Sequence, residues 1–371
     1  MGAKNDACAR AHEGAVAWPV QEKRFESGIP ARGEGAQRAT GLGLKSSAGS
    51  MQCGGPCYVS TNDAWVGDVL DGRYLLLKRV GAGAAGTVWQ ARDLERDIDV
   101  AVKVLASQHL ASAEIVARFV REGDLASRML SPHIVRVLAR GVTPDHGPYV
   151  VYEHLEGEDL ATTLASRGRL PIVDVRMIVV HTCRALARAH VLGVLHRDVK
   201  PSNLFMGTDS EGRQVVKTID FGVADIVGSP HGAELVGTLE YIAPEVLFGE
   251  GTPDTRSDLY ALAVVAYECF TGRVPFPAET IEELVLAFAK GAPPKPSDLR
   301  RGLPREVDAW FAKALHRKPE ERFQSAKEMA DALHAALECM DHTPVSSGIH
   351  SIGGSIRARA ASVFDDREGE G

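Results

Sequence analysis

Residues 196–203, which read HRDVKPSN, bring together three side chains whose chemistry is complementary. Asp198 can accept the proton of a hydroxyl group, Lys200 carries a cation suited to a migrating phosphoryl group, and Asn203 offers an amide oxygen to a magnesium ion. A polar loop that only joins a helix to a strand would not be expected to combine all three functions. The segment therefore predicts magnesium-assisted phosphoryl transfer, with Asp198 and Lys200 as the catalytic residues.

A second oxygen ligand for a metal follows a short apolar strand. Residues 215–219 are mainly apolar and lead directly into the sequence DFG at residues 220–222. The Asp220 carboxylate is a hard ligand that suits magnesium, and Gly222 permits a sharp chain reversal. Asn203 and Asp220 are therefore the predicted metal ligands.

Residues 81–88, which read GAGAAGTV, lie between two predicted strands. Gly81, Gly83 and Gly86 would let the backbone bend close to phosphate oxygens and direct its amide hydrogens at them. The strand–turn–strand context argues against a dinucleotide-binding fingerprint, in which the last glycine opens a helix. Taken alone, a glycine-rich hairpin without a ligand explains the segment equally well.

Lys103 follows the apolar residues of the strand at 100–102. A strand lysine commonly points only to solvent, so a functional role requires a carboxylate that holds the ammonium over a phosphate. Glu122 is the preferred partner, because it shares a helix face with apolar residues that are directed toward the sheet. Glu114 and Asp124 on the same predicted helix are the competing candidates.

Hydrophobic periodicity divides the folded region into two lobes. Residues 72–153 contain short apolar strands and one main helix at about 113–129, whereas residues 154–338 are mainly helical. The helices of the second lobe are expected from residue 171 onward and at 258–271, 281–290, 305–315 and 326–337. The predicted fold class is α+β, a bilobal fold with a small β-rich N-lobe, a larger α-helical C-lobe and a ligand cleft between them.

Composition bounds the remaining organisation of the chain. We expect a disordered leader at residues 1–68, one domain at 69–338 and a disordered tail at 339–371, because the two ends lack a periodic apolar face. The net charge of −7 argues against nucleic acid as a partner. Scattered cysteines, no signal peptide and no apolar run long enough for a membrane anchor favour a cytoplasmic protein.

In order and spacing, these motifs resemble those of the eukaryotic-like, or Hanks-type, protein kinase superfamily, over about residues 74–337. The sequences GRY at 72–74 and RSDLY at 256–260 are similar to the bacterial serine/threonine branch. The resemblance implies that Lys103 contacts the α- and β-phosphates of ATP and pairs with Glu122. It implies that Asp198 orients or deprotonates the substrate hydroxyl and that Lys200 stabilises the transferring γ-phosphoryl group.

The resemblance also supplies the nucleotide-binding residues and several structural supports. The nucleotide-binding set is Gly81, Gly83, Gly86, Val88, Ala101, Lys103, Glu122, Glu153, Leu155 and Phe205. By the same resemblance, Tyr152 is the gatekeeper, Asp258 braces the catalytic loop, and Glu245 forms an ion pair with Arg322.

By resemblance, Lys200 and Thr238 favour serine and threonine over tyrosine as the acceptor. Arg197 is the type of cation that could form charge-assisted hydrogen bonds to a phosphorylated loop. Ser229 or Thr238 would be the phosphorylated residue. The implied activity is therefore a serine/threonine protein kinase that uses ATP and Mg²⁺, with Mn²⁺ as an alternative metal, in intracellular signalling.

The implied partners are protein substrates with Ser or Thr hydroxyls and a second copy of the chain, in a homodimer suited to autophosphorylation. Two alternatives remain open at this point. A pseudokinase that acts as a nucleotide-binding scaffold would typically lack Lys103, Asp198 or Asp220, and all three are present. A small-molecule phosphotransferase is disfavoured by residues 237–245, which resemble a peptide-docking segment.

Overall fold

The structure, a computed structural model, describes residues 65–83, 86–221 and 239–338. The strands are β1 (Val69–Leu70), β2 (Tyr74–Gly83), β3 (Gly86–Asp93), β4 (Ile98–Leu105), β5 (Val137–Thr143), β6 (Gly147–Glu153), β7 (Gly157–Asp159), β8 (Leu204–Thr208) and β9 (Gln214–Thr218). The helices are α1 (Ala113–Arg128), α2 (Leu160–Arg167), α3 (Ile172–Val191), α4 (Pro244–Leu247), α5 (Thr255–Thr271), α6 (Ile281–Ala289), α7 (Pro296–Leu299), α8 (Arg305–Ala314) and α9 (Ala326–Glu338). The expected α+β class and the two lobes are confirmed.

The small lobe is an antiparallel sheet with the strand order β1-β2-β3-β4-β6-β5. Because side chains alternate along a strand, β4 presents Val100, Val102 and Val104 to one face and Ala101 and Lys103 to the other. The three valines are fully buried in the apolar cluster of this lobe. The strand pattern thus places Lys103 on the face opposite this cluster.

Helix α1 covers the face of the sheet that carries Lys103. Its first turn is closed by the Ser112 hydroxyl, which accepts a hydrogen bond from the backbone N–H of Ile115. The buried Phe119 packs against Leu105 of β4 and Val150 of β6. The predicted helix at 113–129 is therefore confirmed, and its apolar stripe determines which way its polar residues face.

Residues 65–68, which the sequence analysis assigns to the leader, lie against the small lobe. The Trp65 ring stacks on Trp89 of β3 with a centroid separation of 5.9 Å, and it meets His146 edge-on. The Asp68 carboxylate lies 2.9 Å from Nε2 of His146. A large aromatic ring before residue 69 thus covers part of the sheet, and the domain boundary itself stays a prediction.

Helix α5 forms the centre of the large lobe and is buried on nearly every side, as its almost uniformly apolar sequence predicts. Its N-terminus has a capping box, in which Asp254 accepts a backbone hydrogen bond and the Ser257 hydroxyl accepts one from the N–H of Asp254. The helix stops at Gly272, whose φ of +79° suits a residue without a side chain. This rigid helix supports the segments that surround it.

A small sheet, ordered β7-β8-β9, connects the linker between the lobes to the catalytic segment. It is tied to the small lobe through the loop before β5. The N–H of Thr218 donates to the His133 carbonyl at 2.8 Å, and the N–H of Val135 donates to the Thr218 carbonyl at 3.1 Å. The end of β9, just before Asp220, is therefore anchored on both sides.

A buried ion pair joins α4 to the turn before α9. Two nitrogens of Arg322 donate to the two carboxylate oxygens of Glu245, at 2.9 and 2.7 Å. Burial alone would raise the pKa of Glu245, but the guanidinium and the Ser257 hydroxyl hold that pKa below its ordinary value. The expected pair is present, and it links two segments that are far apart in sequence.

Two histidines stack at the back of the lobe interface. The His133 and His181 rings are 4.1 Å apart, and the N–H of Val216 donates to Nδ1 of His181 at 3.2 Å. Burial lowers the pKa of His133 to about 4, with further lowering by Arg184 and Lys217. Burial likewise lowers the pKa of His181 to about 3, with help from His133 and Arg184. Both rings are therefore neutral in the folded protein at neutral pH.

None of the helices within the described residues combines the length and the apolar character that crossing a bilayer requires.

The Arg322→Met variant should lose about 3–5 kcal/mol of unfolding free energy, because it leaves the Glu245 carboxylate buried with the Ser257 hydroxyl but without its cation. Urea denaturation measures this loss. A Glu245→Met/Arg322→Met double variant should recover a large part of it. As a control, Lys327→Met removes the exposed pair with Asp331 and should change stability little. Equal losses of unfolding free energy in Arg322→Met and Lys327→Met would contradict the stabilising role of the buried Glu245–Arg322 pair.

The unfolding free energy should fall as the pH drops from about 6.5 toward 4. The unfolded chain takes up protons on both histidines in this window, while the folded chain leaves His133 and His181 neutral. Each ring contributes up to about 1.4 kcal/mol per pH unit. His133→Phe keeps a stacked ring and should reduce the slope in chemical denaturation measured across this window. His334→Gln, at a half-exposed site, should leave it unchanged; an unaltered slope in His133→Phe would refute the prediction.

Candidate active site

The catalytic loop holds Asp198 by contacts from the two other residues that the sequence analysis places with it. Nδ2 of Asn203 donates to the backbone carbonyl and to Oδ2 of Asp198, at 2.7 and 2.9 Å. Nζ of Lys200 lies 2.8 Å from the same Oδ2. Within the described residues these side-chain contacts fall on one carboxylate oxygen, which fixes the orientation of the group.

The loop is braced from below by Asp258, in the first turn of α5. Its carboxylate is 2% exposed and accepts the N–H of His196 at 2.9 Å and the N–H of Arg197 at 2.8 Å. Arg197 has a φ of +64°, a left-handed conformation that is costly for a residue with a side chain. The hydrogen bond from its N–H to the buried Asp258 carboxylate offsets that cost and sets the position of the following Asp198.

His196 is a fully buried part of the same loop. Burial lowers its pKa, although the nearby carboxylates of Asp258 and Asp198 oppose this shift. Its Nε2 lies 3.1 Å from the carbonyl of Ile219, and its Nδ1 accepts the N–H of Asp198 at 3.3 Å. A neutral ring with the proton on Nε2 satisfies both contacts, so His196 joins the catalytic loop to the segment before Asp220.

Lys103 reaches across from the small lobe to the large lobe. Its Nζ lies 2.7 Å from Oδ1 of Asp220, and the lysine is only 5% exposed. Lys103 and Asp220 line a small cavity, and Glu122 of α1 and Tyr152 line it as well. The described ion pair of Lys103 is with Asp220, and its pairing with Glu122 stays a prediction.

The two predicted metal ligands lie on adjoining segments, because the N–H of Ile219 donates to the backbone carbonyl of Asn203 at 3.0 Å. Both described hydrogen bonds of the Asn203 side chain use its nitrogen, so its Oδ1 remains suited to a cation. Asp220 contributes a carboxylate from a backbone with a φ of +58°. An amide oxygen and a carboxylate oxygen are ligands that Mg²⁺ prefers, so the donor set fits that ion.

The register of the sheet places Val88 opposite Lys103 and Ala101 opposite Tyr152. Directly paired residues point to the same face, so these side chains share the face that bears the lysine. Three of the expected nucleotide-binding residues, Val88, Ala101 and Lys103, therefore lie on one surface of the small lobe.

The glycines of residues 81–86 meet different constraints. A Cβ on Gly81 or Gly83 would meet nothing within 4 Å, which is compatible with an open phosphate-binding surface. A Cβ on Gly86 would lie 2.1 Å from the Val104 carbonyl, so strand packing alone requires glycine there. The phosphate-binding role of all three stays a prediction.

The remaining expected nucleotide residues surround a different space. Glu153, Leu155 and Phe205 line a cavity of about 1220 Å³ that also reaches His181 but does not include Lys103. The Glu153 carboxylate is turned toward β9, where it lies 2.6 Å from Nζ of Lys217. For Glu153 the side chain thus serves the fold, and only its backbone is left for the expected nucleotide contact.

Sequence reasoning missed two supporting contacts. Nε2 of His190, near the end of α3, lies 2.8 Å from Oδ2 of Asp258, so the brace of the catalytic loop has a third partner. Nζ of Lys217 in β9 donates to the carboxylate of Glu153 and so holds the end of β6 next to the linker. No local signal in the sequence distinguishes His190 from the other residues of its helix.

Three residues that the sequence analysis singles out, Gly222, Ser229 and Thr238, lie outside the described residues.

The comparisons with known proteins agree with this geometry. The protein kinase domain family matches residues 74–335. Serine/threonine-protein kinase Pkn1 of Myxococcus xanthus is 34% identical over 317 residues, which cover 84% of this chain and 45% of that protein. Serine/threonine-protein kinase PknD of Mycobacterium tuberculosis is 38% identical over 271 residues, covering 72% of this chain and 40% of that protein. The chain thus spans less than half the length of these curated relatives.

Among solved structures, the crystal structure of the Mycobacterium tuberculosis PknI kinase domain is similar, with a TM-score of 0.57 and 30% sequence identity. The match covers 73% of this chain and 98% of that chain. Fold, motif geometry and relatives point in one direction. The chain belongs to the protein kinase family, in its bacterial serine/threonine branch.

Proposed function

We propose that this chain transfers the γ-phosphoryl group of ATP to Ser and Thr hydroxyls of proteins. The observation that carries the proposal is the arrangement of Asp198, which Lys200 and Asn203 hold through one carboxylate oxygen. Asn203 is joined by its backbone to the segment of Asp220, whose carboxylate meets Lys103. A proton acceptor, a phosphate-binding cation and two metal ligands therefore lie on connected segments.

In the proposed reaction, Asp198 orients the acceptor hydroxyl and receives its proton. The contacts from Lys200 and Asn203 fall on Oδ2, so Oδ1 is the oxygen that the hydroxyl would approach. Lys200 lies beside this carboxylate and places its positive charge where a phosphoryl group arriving at the hydroxyl gains negative charge. Preorganisation of these charges by the fold is the main contribution of the protein.

Mg²⁺ would be held by Asn203 and Asp220 and, when bound, supplies positive charge that neutralises the phosphates. Mn²⁺ has similar ligand preferences and could replace it. Lys103 would donate to the α- and β-phosphates from its buried position. The ammonium is held in place by Asp220 and need not be ordered when the nucleotide binds.

The protein partners follow from the proposed chemistry. We propose protein substrates with accessible Ser or Thr hydroxyls, a role in intracellular signalling in the cytoplasm, and a homodimer in which one copy phosphorylates the other. A scaffold that binds nucleotide without transferring phosphate is the alternative outcome.

The Asp198→Asn variant should transfer phosphate about 10²–10⁴-fold more slowly, because it removes the proton acceptor while keeping the shape of the side chain. Transfer of labelled γ-phosphate to a generic basic protein measures the rate. Asp209→Asn changes a carboxylate paired with Arg213 at the surface and serves as the control. Nucleotide binding by the wild type without transfer, under either metal, would support the scaffold instead.

The Asp220→Asn variant should require at least roughly ten-fold more Mg²⁺ for half-maximal transfer, because it removes the carboxylate charge from the metal site. A titration of Mg²⁺ at fixed ATP gives this value, and removal of the metal with EDTA should abolish transfer. Asp145→Asn, on an exposed loop of the small lobe, is the matched control. An unchanged Mg²⁺ requirement in Asp220→Asn would remove Asp220 from the metal site.

A further inference from the structure

The cavity of about 1220 Å³ at the back of the lobe interface has no part in the proposed phosphoryl transfer. Its lining, among the described residues, includes the stacked rings of His133 and His181 but not Lys103, Asp198 or Asp220. The cavity is therefore a space apart from the catalytic loop and the predicted metal ligands.

Hydrogen bonds determine which nitrogen of each stacked ring carries the proton. Nδ1 of His181 accepts the backbone N–H of Val216 at 3.2 Å, so the proton of this neutral ring lies on Nε2. A guanidinium can only donate, so Nε2 of His133 accepts from Arg184 at 3.5 Å and the proton lies on Nδ1. Each ring thus retains one N–H donor.

These two donors lack acceptors in the fold. Nδ1 of His133 is buried with a residue only 6% exposed, and the part of the chain that the structure describes gives it no hydrogen-bond partner. His181 is half-buried and lines the cavity, so its Nε2–H is open to a bound molecule. A wall with a surplus of N–H donors favours a ligand that brings acceptor oxygens.

Arginines add positive charge to the same wall. Burial lowers the pKa of both histidines, and the charge of Arg184 beside His133 lowers it further. Arg136 follows His133 by three residues, is exposed and lines the cavity, as does His154 of the linker. Guanidinium groups bind phosphate oxygens through parallel, charge-assisted hydrogen bonds. The wall therefore suits an oxyanion of the phosphate class.

The carboxylates that line the cavity oppose such an anion only weakly. Glu153 lies 2.6 Å from Nζ of Lys217, and Asp209 lies 2.8 Å from Nε of Arg213, so each is paired with a cation. Glu156 also lines a neighbouring cavity of about 580 Å³ that reaches neither histidine, which places it toward the other end. The end that holds the stacked rings is thus the positive one.

Apolar side chains continue the cavity beyond the rings. Leu130, Leu155 and Phe205 belong to its lining, and Leu130 is 68% exposed. A volume of about 1220 Å³ is comparable to cavities that hold drug-sized molecules and is far more than one phosphate ion fills. The lining therefore favours a phosphate that carries an organic group.

We propose that this cavity binds the phosphoryl group of a phosphate monoester, with the Arg184 guanidinium and the Nε2–H of His181 as donors. The organic part of the monoester would contact the apolar side chains. The phosphoryl group is carried either by a small molecule or by a phosphorylated side chain, and both present the same chemistry to these donors. Binding here is an equilibrium that uses none of the catalytic residues, so it stands or falls separately from the proposed kinase activity.

Calorimetric titration of the full chain with phenyl phosphate at neutral pH tests the site. Arg184→Met should weaken binding about ten-fold or more, because it removes charge-assisted hydrogen bonds. Arg188→Met removes the same charge one turn farther along α3, at an exposed position outside the cavity, and should change the affinity less than about two-fold. Equal losses in the two variants, or no binding by the unchanged chain at millimolar phenyl phosphate, would overturn the proposal.

The Lys103→Met variant tests whether phenyl phosphate binds over the proposed nucleotide site instead. It should leave the affinity for phenyl phosphate unchanged, because Lys103 does not line the cavity. A loss of affinity as large as that of Arg184→Met would place the ligand in the cleft of the proposed reaction and refute the assignment to the back of the lobe interface.

Two further ligands identify what carries the phosphoryl group. Inorganic phosphate should bind several-fold more weakly than phenyl phosphate, because it brings no apolar surface to Leu155 and Phe205. Equal affinities would overturn the monoester in favour of free phosphate. A capped, otherwise uncharged phosphoserine tripeptide that binds more tightly than phenyl phosphate would assign a phosphorylated side chain, and the reverse order would assign a small molecule.

The histidine rings provide a readout that needs no arginine variant. Without ligand the pKa of His133 is about 4 and that of His181 about 3. Saturating phenyl phosphate should raise both pKa values, because a bound negative charge opposes the effect of Arg184 and favours the imidazolium. NMR of the ring Cε1–H groups from about pH 8 to about pH 5 follows this change, and a monoester keeps at least one negative charge throughout.

The His133→Phe variant keeps a stacked ring and identifies the His133 signal by its loss from the spectrum. In the unchanged chain both rings should take up protons at higher pH when phenyl phosphate is present. Signals of both rings that do not respond to saturating phenyl phosphate would show that the monoester does not bind beside them.

Discussion

The carboxylate of Asp258 is the contact on which the catalytic segment depends. It lies in the first turn of the buried helix α5 and accepts the backbone N–H groups of His196 and Arg197, while His190 approaches it from α3. Arg197 is held in a left-handed conformation that is unfavourable for a non-glycine residue. The core of the large lobe thus sets the position of Asp198.

The second constraint is the contact between the lobes. Lys103 belongs to a strand of the small lobe, whereas Asp220 follows the last strand of the large lobe, and in their ion pair the lysine is buried and the aspartate half-buried. The segment before Asp220 is fixed by backbone bonds to Asn203 and to the loop before β5. Any shift between the lobes therefore changes the distance from Lys103 to the metal ligands. The geometry for phosphate binding depends on the interface as much as on the individual residues.

Most of the fold follows from local patterns. The nearly uniform apolar sequence of α5 and the amphipathic sequence of α1 predict one helix buried on all sides and one buried on one side. Strand bounds follow less directly: apolar residues begin at Ile134, but the strand itself is Val137–Thr143. Trp65 was assigned to the leader, because a single aromatic residue has no periodicity and its partner Trp89 is distant in sequence.

The sequence by itself determined which chemistry this chain can perform, because carboxylate, ammonium and amide groups at 198–203 and Asp220 follow in one order and spacing. Tertiary structure decided which groups meet. It paired Lys103 with Asp220, turned the Glu153 side chain to Lys217 and stacked His133 on His181. Such contacts join residues from elements far apart in the chain. Their geometry is set by how helices and sheets pack, and no local periodicity encodes that packing.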